Sequence, residues 1–335
     1  MTVIETSVNI EIDDLPLEKI DVSDPALYQN DDFYDYFQRL RREDPVHYCA
    51  DSPYGPYWSV TRYDDIMRVE LDHATYSSAG HLGGITLRDN PFGDRMTSFI
   101  SMDPPEHTGQ RKAVAPIVAP NNLRNMEATI RQRTEEVLDA LPRGETFDWV
   151  DKVSIELTTM MLATLFDFPF EDRRKLTYWS DVATTDYGAP GALVKSDEER
   201  LEVLQEMGQY MGALWRERAK GEPGFDLISM LAQNAATKNM SPMDLIANSV
   251  LLIVGGNDTT RNTMSGGLLA LCDNPDQFTA LRADPGLIKT MVPEMIRYQS
   301  AIIHMRRTAL KDTELAGKSI RKGDRVVMWY VSGNW

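Results

Sequence analysis

The chain has 335 residues, of which 51 are Asp or Glu and 35 are Lys or Arg, so its formal net charge is −16. A chain this acidic is not expected to be a general nucleic-acid binder, because contacts with phosphates need clustered basic side chains. The 26% charged and 42% hydrophobic residues are typical of a globular protein with a sizeable core.

Cys49 and Cys272 are the two cysteines, and they are too far apart in sequence for a CxxC-type metal site or a disulfide framework. The five histidines show no metal-ligand spacing, so no metal site is expected from protein side chains alone. The apolar runs are far shorter than the roughly 20 residues that cross a bilayer, and no basic segment precedes an apolar stretch at the N-terminus. We therefore expect a cytoplasmic protein with no transmembrane segment.

The first 30 residues differ in composition from the rest. Between Met1 and Tyr36 there are ten acidic residues and one basic residue, Lys19, and Pro16 and Pro25 interrupt any periodic pattern. This composition predicts an acidic, extended and solvated arm over residues 1–30. A single domain is then expected over residues 31–335.

Apolar periodicity in that domain is mostly helical. After a helix within 31–43 and a short strand over 55–60, it predicts helices over residues 63–71, 105–118, 123–141, 153–165, 171–181, 198–220, 225–236, 242–272, 276–283 and 286–299. Residues 302–310, 318–320 and 325–331 are typical of short strands separated by turns. The predicted fold class is mainly α with a small β-sheet region.

The helix predicted over residues 242–272 has an unusual centre, Val254-Gly255-Gly256-Asn257-Asp258-Thr259-Thr260. Two glycines inside a helix cost roughly 2 kcal/mol relative to alanine, so a buried helix is expected to keep them for a use. Glycine lets a flat group approach the backbone, and Asp258 and Thr259 add a carboxylate and a hydroxyl suited to proton delivery. The alternative is that Gly255-Gly256 ends one helix and that a second begins near Thr260.

Three further patterns carry charge. Glu294 and Arg297, at i and i+3, form a pair that is often only a solvated helix face. His107 and Arg111 lie one helical turn apart and can anchor a carboxylate or phosphate, although an ordinary basic helix face has the same pattern. Arg306 and Arg307 follow each other in an apolar strand, so one of them should point inward, and a buried arginine needs an anion.

In their order and spacing, these four motifs together resemble the cytochrome P-450 monooxygenases. Stretches such as Gly55-Pro56-Tyr57-Trp58-Ser59-Val60 and Ser154-Ile155-Glu156-Leu157-Thr158-Thr159 are similar to the bacterial alkane hydroxylases of that superfamily, over about residues 20–334. The resemblance implies a cytochrome P-450-like fold and haem b (iron protoporphyrin IX). It also implies terminal hydroxylation of medium-chain alkanes or fatty acids with O₂, and electrons from a 2Fe-2S ferredoxin and its NAD(P)H-dependent reductase.

Carried over by position, the resemblance implies roles for single residues. Asp258 and Thr259 would manage protons during oxygen activation, and Glu294 and Arg297 would stabilise the fold. Residues expected to contact haem are Gly255 and Gly256 over its face, with His107, Arg111 and Arg307 at its propionates. Candidates for an apolar substrate wall are Leu251, Val254 and Ile303.

One departure from the family pattern affects the activity. In the family a Gly-Asn is followed by Arg-Asp and later by a glycine-rich segment whose cysteine thiolate binds the haem iron, whereas here Asn334 is followed by Trp335. Cys49 and Cys272 lack that glycine-rich context and are expected to be structural thiols, so the fold is expected to be incomplete at its C-terminus. Two hypotheses remain: a partial sequence of a hydroxylase, or a non-catalytic fragment that at most binds haem or an apolar ligand weakly.

Overall fold

Central strand β7 (Arg325–Trp329) organises a five-stranded sheet in the computed structural model, which describes residues 12–89 and 95–335. The strand order is β1-β2-β7-β4-β3, with β7 parallel to β2 and antiparallel to β4. Val326, Val327 and Met328 are fully buried, as expected for a strand covered on both faces. The other strands are β1 (Val46–Cys49), β2 (Tyr57–Val60), β3 (Tyr76–Ser77) and β4 (His304–Ala309), with a separate hairpin of β5 (Thr313–Leu315) and β6 (Lys318–Ile320).

The sheet belongs to the first of two compact units, which combines the described residues up to 89 with Ile302–Trp335. Its helices are α1 (Pro25–Gln29), α2 (Phe33–Glu43), α3 (Tyr63–Leu71) and a last turn that we label α13 (Tyr330–Gly333). The last turn replaces the end of the strand predicted over residues 325–331. The single domain that we predicted over residues 31–335 stays a prediction.

The described part of the predicted N-terminal arm is neither extended nor fully solvated. Ile20 and Val22 are each 1% exposed and pack into an apolar cluster with Phe37 and Trp329. Pro25, which we expected to break periodic structure, instead begins α1, where proline's fixed φ is favourable and Asp24 caps the Ala26 amide. Residues 1–11 of the arm lie outside the described residues.

The second unit is helical and contains the described residues from 95 to Ala301. Its helices are α4 (Glu106–Val114), α5 (Pro120–Asp139), α6 (Glu156–Phe166), α7 (Arg174–Thr184), α8 (Asp197–Arg218), α9 (Leu227–Gln233), α10 (Pro242–Asp273), α11 (Pro275–Ala283) and α12 (Ile288–Gln299). A π-helical turn, Val150–Ile155, leads into α6. The observed bounds follow the predicted helices closely, which confirms a mainly α fold with a small sheet.

α10 contacts α6, α7, α8 and α12, so it lies at the centre of the second unit. Its 32 residues span about 48 Å. Ile253 of α10 is 1% exposed and belongs to a large apolar cluster that also contains Leu162 and Trp179. None of the helices in the described residues has the length and hydropathy that a bilayer-spanning helix requires.

His304 in β4 gives the stability of the chain an expected pH dependence. Its ring lies against Trp329, with centroids 4.9 Å apart, and burial lowers its pKa to about 4. In the unfolded chain the imidazole takes up a proton near pH 6.5, whereas the folded chain resists protonation until about pH 4. The contribution of His304 to stability is therefore complete above pH 6.5 and is lost as the pH falls towards 4.

Between pH 8 and pH 5 this linkage is expected to remove about 2 kcal/mol of the free energy of unfolding. Urea unfolding of the parent chain and of His304→Phe at both pH values measures it, and the variant should lose less stability on acidification by that amount. His73, an exposed histidine, provides the control His73→Phe, which should behave as the parent. Equal pH dependence in the parent and His304→Phe would contradict the prediction.

Candidate functional site

The glycine pair lies inside one continuous helix. α10 begins after the N-cap Ser241, whose side chain accepts a hydrogen bond from the Asp244 amide, and it runs unbroken to Asp273. Pro242 occupies the first turn, as predicted. The alternative of two helices meeting at Gly255-Gly256 is therefore wrong.

The two glycines have different surroundings. A Cβ atom on Gly255 would meet nothing within 4 Å, so this position faces open space. A Cβ atom on Gly256 would lie 2.6 Å from Leu162 Cδ2, so this glycine allows α6 to pack closely against α10. Gly256 therefore serves helix packing in this structure, and the expectation that both glycines lie over the haem face stays a prediction.

Thr259 shares the open face of α10 with Gly255. Its hydroxyl donates a hydrogen bond of 2.9 Å to the Gly255 carbonyl oxygen, one turn earlier. Leu251 lies one turn before Gly255, so Leu251, Gly255 and Thr259 form a stripe at i, i+4 and i+8. The stripe presents an apolar side chain, an uncovered backbone and a hydroxyl in succession.

Asp258 pairs with Arg261 on the side of α10 that meets α7, and the Thr259 hydroxyl bonds to the Gly255 carbonyl oxygen, so a place for both groups beside one opening stays a prediction. Its Oδ1 lies 2.5 Å from Arg261 Nη2, and Arg261 Nη1 lies 3.0 Å from Asp181 Oδ1 on α7. Burial raises the pKa of Asp258; the Arg261 charge opposes this shift and the Asp181 charge adds to it. A partly buried carboxyl group whose proton affinity is increased in this way is suited to holding and passing a proton.

Sequence reasoning did not single out Arg261 and Asp181. Arg261 follows Asp258 at i+3, which was a readable signal for an ion pair on one helix face. Asp181 lies 80 residues before Arg261 in the sequence, so no local spacing predicted their ion pair. A buried Asn257 was also not singled out; its Oδ1 accepts a hydrogen bond of 2.8 Å from the Thr158 hydroxyl and ties α10 to α6.

His107 and Arg111 lie one turn apart on α4, in the same unit as α10. The His107 ring stacks parallel to Phe99 at a centroid distance of 6.4 Å. Arg111 is exposed and has no ion pair with any described residue. This helix therefore retains a cation that is able to bind an anionic group.

Arg306 and Arg307 point to opposite faces of β4, as the strand period predicted. Arg306 is the buried one, at 2% exposure; Asp89 pairs with it, and its Nε makes no hydrogen bond within the described residues. Arg307 pairs with Glu70 of α3 at 2.7 Å. The resemblance assigned Arg307 to a haem propionate as its anion, but the structure already supplies a protein carboxylate.

The three candidates for a substrate wall are distributed over the two units. Leu251 is partly buried against the large apolar cluster of the second unit, and Val254 is half-buried beside Gly255 on α10. Ile303 belongs to the first unit, where it packs against the cluster that contains Trp329. Leu251 and Val254 therefore lie together on α10, whereas Ile303 lies in the first unit.

Glu294 and Arg297 form a two-bond pair on α12, with both N–O distances 2.8 Å. The hydrogen bonds from Arg297 hold the pKa of Glu294 below its ordinary value. Met295 of α12 packs into α10 where Gly267 leaves space, while Val292 and Ile296 are 47% and 56% exposed. The pair thus lies on an exposed helix side in this structure.

The comparisons with known proteins identify the family. A scan against protein-family models gives no match. Linalool 8-monooxygenase of Pseudomonas putida is 37% identical over 95% of this chain and 80% of its own length. Putative cytochrome P450 126 of Mycobacterium tuberculosis is 32% identical over 95% of this chain and 79% of its own length.

Solved structures agree with this assignment. Cytochrome P450-153 from Novosphingobium aromaticivorans is 47% identical with a TM-score of 0.86, covering 94% of this chain and 78% of its own. CYP153D17 from Sphingomonas sp. PAMC 26605 is 49% identical with the same TM-score, covering 95% of this chain and 80% of its own. The chain belongs to the cytochrome P450 family, whose members are haem-dependent monooxygenases.

Two observations test whether the chain fits haem. The uncovered backbone at Gly255 suits a flat ring system, and the cation Arg111, which forms no ion pair within residues 12–89 and 95–335, suits a propionate. The cysteines do not fit as the axial thiolate: burial raises the pKa of Cys49 to about 12 within a strand, and Cys272 is an exposed thiol near the end of α10. The described residues also hold no group of three or more His, Cys, Asp or Glu side chains arranged to bind a metal.

Proposed function

We propose that the protein hydroxylates the terminal carbon of medium-chain alkanes or fatty acids, using O₂ and electrons from a 2Fe-2S ferredoxin and its NAD(P)H-dependent reductase. The observation that carries the proposal is the stripe on α10, in which the apolar Leu251 precedes the open Gly255 and the hydroxyl of Thr259. An apolar chain lying along this stripe would present one end to the site of oxygen activation. The two free cysteines favour a reducing, cytoplasmic setting.

Relatives support the choice of substrate class. Methyl-branched lipid omega-hydroxylase of Mycobacterium tuberculosis is 26% identical, and steroid C26-monooxygenase of Rhodococcus jostii is 30% identical. These names, with that of linalool 8-monooxygenase, describe apolar carbon skeletons, and an omega-hydroxylase acts on the end of a chain. The shared chemistry is oxygenation of one carbon in a largely apolar skeleton.

The protein residues would have separate tasks. Bound haem supplies the activation of O₂, and every other task falls to the polypeptide. Leu251 and Val254 would exclude water and contact the substrate, and His107 and Arg111 would bind a propionate through charge-assisted hydrogen bonds. Thr259 would hold a proton-donating group near the open face, and Asp258 would exchange protons with it.

Product analysis tests this function. The haem-loaded protein should be supplied with ferredoxin, reductase, NADH or NADPH, and n-octane or dodecanoic acid. Gas chromatography should then find 1-octanol and 12-hydroxydodecanoic acid as the main products. A mixture dominated by 2- and 3-octanol would refute the terminal selectivity, and no product under any electron supply would refute the substrate class.

The surroundings of the cysteines favour a second candidate for the 335 residues alone, a weak haem or apolar-ligand binder without turnover. Neither Cys49 nor Cys272 has the surroundings of an axial thiolate. Reduction under carbon monoxide separates the two functions, because a thiolate ligand gives its own Soret band. That band should be absent with the 335-residue chain; its presence would overturn the structural assignment of both thiols.

A further inference from the structure

One guanidinium bridges two carboxylates at the junction of α7 and α10. Arg261 places one nitrogen 2.5 Å from Asp258 and the other 3.0 Å from Asp181. The Arg261 and Asp258 side chains are each 16% exposed, and that of Asp181 is 33% exposed. The cluster therefore has an inner carboxylate, a bridging cation and an outer carboxylate closer to solvent.

The charges in this cluster do not balance. Two carboxylates and one guanidinium leave one negative charge in a partly buried place, where isolated charge is costly. Uptake of a single proton would make the cluster neutral. Asp258 is the better acceptor of that proton, because it is the more buried of the two carboxylates.

A hydroxyl of α7 lies beside the cluster. Ser180 is fully buried, and its hydroxyl and that of Thr184 lower the pKa of Asp258. These neutral groups act in the same direction as the Arg261 charge, so the ionised form of Asp258 is stabilised from both helices.

We propose that Arg261 and Asp181 are positioning residues that control Asp258: Arg261 holds its carboxylate towards α7 in the ionised form, and Asp181 competes for Arg261 so that Asp258 accepts a proton readily. The charged groups that face Asp258 are Arg261 on its own helix and Asp181 on α7. This inference rests on the proposed function, in which Asp258 exchanges protons during the reaction.

The test measures the protonation of Asp258 directly and needs no haem. The chain is labelled with ¹³C at the aspartate carboxyl carbons, and the Asp258 signal is identified by its absence in Asp258→Asn. Arg261→Gln should raise the pKa of Asp258 by about 1 to 3 units, since an opposite charge at this distance lowers a carboxyl pKa by that amount. Asp181→Asn should lower it, because a like charge is removed and Arg261 is left to Asp258 alone.

Two further variants keep the result interpretable. Arg261→Lys preserves the cation and should give a smaller rise than Arg261→Gln, and Asp181→Asn carries the test if the glutamine variant fails to fold. Arg218→Gln removes a comparable ion pair, with Asp167, elsewhere in the unit and should leave Asp258 unchanged. An unchanged pKa in Arg261→Gln, or a raised one in Asp181→Asn, overturns the proposal.

A second readout separates this inference from the proposed function. In the haem-loaded enzyme, the acid limb of the pH profile for kcat should move in the same direction as the measured pKa of Asp258, with KM unchanged. If the carboxyl pKa shifts as expected but no terminal hydroxylation occurs in any variant, the proposed function fails while the control of Asp258 stands. If hydroxylation occurs with an unchanged carboxyl pKa, the inference fails alone.

Discussion

Replacing Gly256 with leucine should destabilise the chain by about 2 kcal/mol, whereas the same replacement at the adjacent Gly255 should stabilise it slightly. At Gly256 even a Cβ atom would meet Leu162, which is 1% exposed and cannot move into solvent, so overpacking outweighs the gain in helix propensity. At Gly255 the space is open, and leucine is favoured over glycine in a helix by about 0.8 kcal/mol. Urea unfolding of both variants measures the difference.

For haem affinity the two variants should rank the other way, with Gly255→Leu the more impaired. Leucine at Gly255 would fill the open face, so haem affinity should fall more than about tenfold, a loss of at least 1.4 kcal/mol in binding free energy. A moderately destabilised Gly256→Leu protein that remains folded should keep most of its affinity. Titration of each variant with haemin, followed by absorbance, checks this. Undiminished affinity in Gly255→Leu would show that the open face of α10 is not the haem face.

The contrast between these two glycines shows where sequence reasoning stops. The weak helical centre of α10 predicted that close approach was needed, because glycine, asparagine and aspartate are poor helix formers. Sequence alone does not distinguish Gly255 from Gly256, since the partner that contacts Gly256 is Leu162, almost a hundred residues earlier. Helix bounds follow from local patterns, whereas the role of a particular face depends on tertiary packing.

Arg306 and Arg307 show the same limit of sequence reasoning. Strand alternation predicted that one of Arg306 and Arg307 is buried, and the structure identifies Arg306. The anions were not predictable, because Asp89 and Glu70 are more than 200 residues away from these arginines. The N-terminal segment shows a different error: its acidic composition predicted an extended arm, but the apolar residues Ile20 and Val22 pack into the cluster that contains Trp329.

Removing the Thr259 hydroxyl should separate electron consumption from product formation in the haem-loaded enzyme. Thr259→Val keeps the shape of the side chain but loses the hydrogen bond to the Gly255 carbonyl oxygen and any proton donation at the open face. Positioned proton donors contribute about 10² to 10⁴ in rate, so hydroxylation should fall by about 10²-fold while oxidation of NADH or NADPH continues. Product formed per electron pair, measured by gas chromatography and absorbance at the same time, is the decisive quantity.

α10 supplies a matched control for this experiment. Thr263, one turn later, makes the same kind of bond, from its hydroxyl to the Thr259 carbonyl oxygen at 2.8 Å. Thr263→Val therefore loses an equivalent helix hydrogen bond, but at a position beyond the stripe formed by Leu251, Gly255 and Thr259, and it should stay coupled. Thr259→Ser, which retains the hydroxyl, should recover much of the coupling. Equal coupling in Thr259→Val and Thr263→Val would exclude Thr259 from proton transfer, since both variants would then report only the loss of a structural hydrogen bond.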